Sequence, residues 1–401
     1  MNRSGFRERD RDRVRARRPP LFVGLLIVAA LSACAARPPI AEPGAQRAWL
    51  LAGAGELQAD LTQPIDAQDL LVVTDEMHDF AVRATARAKN EEEKIRTLVE
   101  ALHSDDGLAL RYDALATLTA QEAFKQRRAN CITHTLLFIA MARDLHIDAR
   151  FNQVDVPPIW DLRGDSLVLY RHINARIGAS TERFRIVDLT PEEYDPAYRQ
   201  RVISDREAEA QFFNNRAVDL QTQGQHRGAL RYQLRALELS PDASFLWSNL
   251  GHLYLALGNL QAAETSIGIA LKLDTGSLSA YGTATRIYEA LGEPAKAQAY
   301  RRRAEWLQRR NPYYHYQLAQ RAYKNERLSV AYQESLRAIK LYPQDHRFFL
   351  LMGAVLAGLD RPDLARKSIE AAIALTGDEK LQSRYRSKLD RIAAAAKAAP
   401  G

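Results

Sequence analysis

Arg128-Ala129-Asn130-Cys131-Ile132-Thr133-His134-Thr135-Leu136-Leu137-Phe138-Ile139-Ala140-Met141-Ala142-Arg143 is the stretch whose reading decides the fold. A thiol stands where a polar, loop-like run gives way to apolar residues at helical spacing, so its sulfur falls at a helix N-terminus. Unpaired N–H groups and the positive end of the helix dipole favour thiolate over thiol there. Strand-like runs follow at Ala149–Val154, Leu167–Ile177 and Arg183–Leu189. One carries His172 and the next ends at Asp188. A cysteine at a helix start, a histidine on a strand and an aspartate on the following strand supply a nucleophile, a base and a carboxylate to orient the base.

Four features go further: Asn130-Cys131; Ala142-Arg143 followed by Ile147-Asp148-Ala149-Arg150; the His172 strand; and Val187-Asp188-Leu189-Thr190-Pro191. Together they resemble the transglutaminase-like superfamily, a circularly related cousin of the papain-like thiol enzymes. The resemblance covers roughly Thr74 to Asp205 and keeps the family's order of Cys, His and Asp. It implies an α+β core over residues 66–204 with Cys131, His172 and Asp188 as catalytic residues. It also implies a thioester intermediate formed from a carboxamide or peptide carbonyl, without a cofactor. Ala129 replaces the glycine many relatives carry, and Ile173-Asn174 replaces an aromatic after the histidine. These changes bear on the substrate-side surface and leave the triad intact.

Tyr112 and Gln126 are oxyanion-hole candidates beside the backbone N–H of Cys131, against the plain alternatives of a core tyrosine and a solvated glutamine. Trp160 lies in a Pro- and Gly-bearing loop, where an aromatic either lines a substrate groove or packs on the sheet. A buried structural cysteine is the alternative for Cys131 itself. Cys131 and His134 have ligand-like spacing, but no second Cys or His pair completes a tetrahedral metal site.

The N-terminus has a different character. An Arg-rich segment to Pro20, an apolar core at Leu21–Leu31 and Leu31-Ser32-Ala33-Cys34 mark a secretory signal too short to span a membrane. The last four residues match a bacterial lipobox. Residues 1–33 are therefore expected to be removed, with Cys34 lipidated and the protein held at the cell envelope, on the periplasmic face of the outer membrane. Those residues carry eight of the 56 basic and three of the 49 acidic side chains, which leaves 48 against 46 and a net charge of +2. Without a retained basic block, nucleic-acid binding has no electrostatic footing. Cys131 is then the sole free thiol of an oxidising compartment, where an unpaired cysteine calls for an explanation.

Residues 34–65, opening with Arg37-Pro38-Pro39, read as a tether. From Asp205 the pattern is continuously helical with a period of 34. Ala229, Ala263, Ala297, Ala331 and Ala365 hold one position, and Ala236, Ala270, Ala304, Ala338 and Ala372 another. Gly224, Gly258, Gly292, Glu326 and Asp360 mark a turn inside each helix pair. Together with Trp247-Ser248-Asn249-Leu250-Gly251-His252-Leu253-Tyr254, this resembles the tetratricopeptide repeat. Five repeats over 205–378 and a capping helix and tail over 379–401 would form an all-α superhelix whose concave face suits a peptide or protein partner. Arg216 and Thr285 are departures from the repeat pattern. Trp306, Arg309, Arg310, Tyr313, Tyr314, Tyr316 and Tyr323 form an aromatic and basic cluster near a repeat junction.

The whole reads as two independent domains meeting near Ser204-Asp205, with an acyl hydrolase or transferase core. The rival reading is a non-catalytic envelope adaptor or assembly lipoprotein acting through its repeats.

Overall fold

The computed structural model describes residues 43–56, 70–155, 159–160, 167–168, 172–178, 184–189, 198–377 and 379–398. The signal segment and Cys34 lie outside them. So does most of the expected tether, but its residues 43–56 are not extended. Helix α1 (Pro43–Leu51) and a 3-10 turn at Gly53–Gly55 dock on the repeats. Leu50 is fully buried and its carbonyl accepts from the Tyr254 hydroxyl at 2.8 Å. Arg47 donates to the Pro241 carbonyl while its guanidinium lies 5.1 Å from the Trp247 ring centre. One buried leucine contributes about 2 kcal/mol, enough to order a short segment that Pro and Gly make look like a linker.

The core begins with α2 (Asp75–Thr85) and α3 (Glu91–His103), capped by Thr74 and Asn90, whose side chains accept from Met77 N and Glu93 N. Strand β1 (Arg111–Tyr112) precedes α4 (Ala120–Gln126), which starts with a capping box between Thr119 and Glu122. β2 (Arg128–Ala129) pairs in parallel with β1 and leads directly into α5 (Cys131–Asp144). From Ile132 to Ala142 every α5 residue is buried, the pattern of a helix wrapped by its own domain rather than amphipathic on a surface. Then come β3 (Ala149–Val154), a hairpin of β4 (Ile159–Trp160) and β5 (Leu167–Val168), β6 (His172–Ile177), β7 (Arg185–Val187) and β8 (Gln200–Val202). Four of these make an antiparallel sheet in the order β7-β6-β3-β8, with α5 packed against β6 and β3.

Five helix pairs follow. They are α6 (Asp205–Thr222) with α7 (His226–Leu239), α8 (Ser244–Ala256) with α9 (Leu260–Leu273), α10 (Leu278–Ala290) with α11 (Pro294–Gln308), α12 (Pro312–Lys324) with α13 (Leu328–Leu341), and α14 (His346–Gly358) with α15 (Pro362–Leu375). Helix α16 (Glu379–Ala398) packs on α15, where Tyr385 is buried with Ile369 and bonds His346 Nδ1 at 2.9 Å. The alanine tracks mark where helices touch: nine of the ten are buried and Ala304 is half-buried. The turn track is a conformational requirement. Gly224, Gly258 and Gly292 have φ of 76°, 80° and 71°, and Glu326 and Asp360 accept the same left-handed backbone at 57° and 56°.

The halves are not independent. One apolar core runs from Leu50 through α5 and the sheet into Phe212, Phe213, Leu230 and on to Ile287, while α12 to α16 hold smaller clusters of their own. Arg143 forms a bidentate pair with Asp205 at 2.6 and 2.9 Å, and Gln211 donates to Gln153 at 2.9 Å. Arg216, the departure from the repeat pattern, donates to Thr117 O at 3.2 Å, so its position answers to the core and not to a neighbouring repeat. In the aromatic cluster, Tyr313 and Tyr316 pack on Phe348, whereas Trp306 remains exposed between Arg303 and Arg310.

Two variants separate packing from backbone conformation. A Cβ on Gly251 would lie 2.8 Å from Ile267 and 3.3 Å from the Ala263 carbonyl, so Gly251→Ala should lower stability in urea unfolding by about 1–3 kcal/mol. Glu326→Gly should act in the other direction, by about 0.5–1 kcal/mol, because it relieves a left-handed residue that carries a Cβ.

Candidate active site

The start of α5 is tied down on two sides, to the loop at residues 116–118 and to β6. Asn130 caps it, its Oδ1 accepting from Thr133 N at 3.1 Å and its Nδ2 donating to Thr117 Oγ1 at 2.8 Å. The Thr133 hydroxyl lies between Ala116 O and Leu118 O and accepts from Leu118 N. Thr135 Oγ1 reaches both Cys131 O and Ile173 O, which sets the first turn of α5 beside the strand that carries the histidine. These threonines look like poor helix formers in the sequence; in the fold they are the fasteners.

Cys131, His172 and Asp188 meet. His172 is hydrogen-bonded to Cys131 and, through Nε2, to Asp188 Oδ2 at 2.5 Å. The side chains of His172 and Asp188 are 9% and 3% exposed, and Cys131 is partly open. Burial pushes the imidazole toward neutrality, but the hydrogen bonds and negative charge of Asp188 and Cys131 outweigh it and raise its pKa to about 10. With Nε2 engaged by Asp188, Nδ1 is the nitrogen left to exchange a proton with sulfur.

A further layer went unread in the sequence. Asn174, fully buried, donates to Asp188 Oδ2 at 2.9 Å and accepts from Asn152, which also donates to Gln200. His172 and Asn174 are two apart on β6, so the strand's period of two puts them on one face, and Asn152 is the register partner of Asn174 on β3. The alternation is the signal that could have identified Asn174. Asn174, one of the two residues at which the strand departs from the resemblance, is therefore a support for the carboxylate.

The other candidates divide. Tyr112 is 57% exposed and lines the same cavity as Cys131, whereas Gln126 accepts from Arg128 at 3.0–3.1 Å and is not among the described residues lining it. Trp160 sits on β4, and its side chain lies outside the described part. His134 is fully buried and faces His103, Nε2 to Nε2, at 3.1 Å with the rings stacked. The cavity encloses about 610 Å³. Its lining passes from Cys131, Ile132 and His172 to Gln211, Asn214, Asn215 and Asp219 of α6, then to Asn249 and His252 of α8 and Ser279 of α10.

Comparison with known proteins agrees with both halves. Residues 78–159 match the transglutaminase-like superfamily and residues 246–275 match the tetratricopeptide repeat. The chain joins a transglutaminase-like core to tetratricopeptide repeats. A curated relative is the type IV pilus assembly protein PilF of Pseudomonas aeruginosa, 27% identical over 140 residues, which are 34% of this chain and 56% of the relative. The chain thus spans little more than half of that protein. Similar solved structures include MamA, with 21% identity over 44% of this chain and 95% of that one, at a TM-score of 0.24. YrrB, described as a repeat protein with an unusual peptide-binding site, has 20% identity over 46% of this chain and 94% of that one, at a TM-score of 0.24. PilF of Pseudomonas aeruginosa appears again at 24% identity, over 39% of this chain and 70% of that one, with the same TM-score. Likeness of this size decides neither partner nor activity.

The histidine pair behind the triad gives the transglutaminase-like core an acid sensitivity. Burial, reinforced by His103, lowers the His134 pKa to about 3, and burial lowers that of His103. An unfolded histidine takes its proton near pH 6.5, so the unfolded chain binds more protons at every pH between those values, and stability falls as pH drops from 6.5 toward 3. His134→Leu, which also removes a buried Nδ1 without a partner, should flatten the dependence of melting temperature on pH between 6.5 and 4.

Proposed function

We propose that the protein is an envelope lipoprotein whose transglutaminase-like core performs thiol-based acyl transfer on a carboxamide or peptide carbonyl. The observation that carries this reading is the contact of Cys131, His172 and Asp188 at the start of a helix that opens into a cavity. His172 takes the thiol proton and Asp188 fixes the ring. The thiolate adds to the carbonyl carbon, and the oxyanion that forms faces the backbone N–H of Cys131, a first-turn donor of α5 that helix geometry leaves without an internal acceptor. Tyr112, on the cavity wall, is a further donor for it. As the C–N bond breaks, the imidazolium returns its proton to the departing amine and a thioester remains. Water or an amine, deprotonated by His172, then resolves the thioester and frees the thiol.

The repeats support a protein or peptide partner. The relative assigned to type IV pilus assembly favours a second reading, in which the repeats act as an adaptor and the thiol is not used. Lipidation at Cys34 and residence at the outer membrane are part of the proposal and rest on the lipobox alone. If Cys34 carries the anchor, Cys34→Ser will remain unprocessed and leave the membrane fraction; normal processing in that variant removes the claim.

The triad is tested by intact-mass labelling with a thiol electrophile and by complementation. Cys131→Ala should abolish both, and His172→Ala should cost nearly as much, because nucleophile and base act as a unit. Asp188→Asn should retain partial turnover. Full complementation by Cys131→Ala at normal protein level would decide for the adaptor. Turnover should also decline as pH rises through about 10, where His172 loses the proton that the leaving amine needs.

A further inference from the structure

The first helix of each repeat pair faces the core rather than open solvent. α6 packs on β3, the β4–β5 hairpin lies against α10 and α12, and Arg347 of α14 stacks over Tyr198 at 4.6 Å. The face expected to receive a partner is thus partly filled by this chain's own core, and what remains open on α6 and α8 is the far wall of the Cys131 cavity. The period of 34 makes this wall systematic: Gln211, Phe245 and Ser279 share one repeat position, Asn215 and Asn249 a second, Val218 and His252 a third.

The wall's chemistry is specific. Gln211, Asn214, Asn215, Gln221 and Asn249 are primary amides, and part of their capacity is already used: Asn249 bonds Asn214 at 2.7 Å, Asn214 bonds Asn215 at 3.4 Å, Gln221 bonds His252 at 3.1 Å and Gln211 bonds Gln153 at 2.9 Å. No Lys or Arg is among the described residues of the lining, and Asp219 is its one acidic side chain. Such a surface matches the alternating N–H and C=O groups of an uncharged peptide segment, and its one cationic group, His172, is already paired with Asp188. At about 610 Å³ the space lies within the range of ligand-binding clefts. It is also preformed. Arg143 with Asp205, Gln211 with Gln153 and Arg216 with Thr117 hold α6 to the core around it.

We infer that the ligand of the first two repeats and the substrate of the thiol are one molecule: an uncharged, extended peptide segment laid along α6 and α8 with its carboxamide or scissile carbonyl at Cys131. Asn215 and Asn249 are then specificity-determining residues of the acyl-transfer site. The inference rests on the thiol reading above, and the test separates the two.

The full-length protein is labelled with iodoacetamide, with the neutral probe iodoacetyl-Ala-Gln-Ala-Ala-amide and with an acidic analogue in which Glu replaces Gln, and second-order rates at Cys131 are read by intact mass. The neutral peptide should label at least about tenfold faster than iodoacetamide, and the acidic one should show no such gain. Asn215→Asp and Asn249→Ala, on different helices and checked for folding by thermal melts, should each reduce the neutral peptide's advantage by about fivefold, the scale of one lost hydrogen bond. If iodoacetamide labels Cys131 rapidly but the peptide has no advantage, or keeps it in both variants, the inference fails and the thiol reading stands. If iodoacetamide labels Cys131 no faster than it labels free cysteine, both fail.

Discussion

The first turn of α5 is the constraint on which the rest of the molecule depends. A helix buried from Ile132 to Ala142 leaves its N-terminus few positions, and the one it takes is fastened by Asn130, Thr133 and Thr135 to the loop at residues 116–118 and to a strand. Each neutral hydrogen bond contributes only about 1 kcal/mol, but the donors are buried, and leaving any of them unpaired would cost about 1–3 kcal/mol. The thiol is held where it is because displacing it would strip several buried partners at once. The imidazole and carboxylate are fixed by the same logic, through a run of amides from Gln200 across Asn152 and Asn174 to Asp188.

The repeats share in this constraint. The Arg143 and Asp205 pair is partly exposed, with side chains 34% and 56% accessible, and so adds little beyond about 1 kcal/mol. The joining energy lies in the apolar core that Phe212, Phe213 and Leu230 continue from the sheet into the first repeats. A solenoid stabilised by neighbour contacts alone would leave its first helix needing a cap. Here the transglutaminase-like core is that cap, and α1 packs over the joint at Leu50 and Tyr254. This explains Arg216, which interrupts the repeat pattern in order to reach Thr117, the residue whose hydroxyl accepts from Asn130.

Much of this was legible in residues alone because it depends on periodicity. Helical spacing after Cys131, a strand-like run carrying His172 and another ending at Asp188, and ten alanines at a spacing of 34 are local signals that burial turns into local structure. The five turn positions needed a left-handed backbone, and three of them are glycine for that reason. Other features were hidden because nothing in their neighbourhood announces them. The segment 43–56 has the composition of a linker and becomes a docked helix only because the repeats supply a site for Leu50. Gln126 has the sequence position of an oxyanion donor, but the left-handed turn at Arg127 and the pull of Arg128 take it to the surface.

What the sequence determined by itself was therefore the inventory: a helix-start thiol, a strand histidine, an aspartate after it, and a repeat of known length. Those follow from short-range spacing, which any chain of this pattern must obey. Tertiary structure alone decided who faces whom. Asn174 became the support of Asp188 through a register set by β3 and β6, and α6 and α8 became a wall of the thiol cavity through a core that continues across the two halves. Long-range burial is a property of complementary surfaces, and no single stretch of chain records the surface that it will meet.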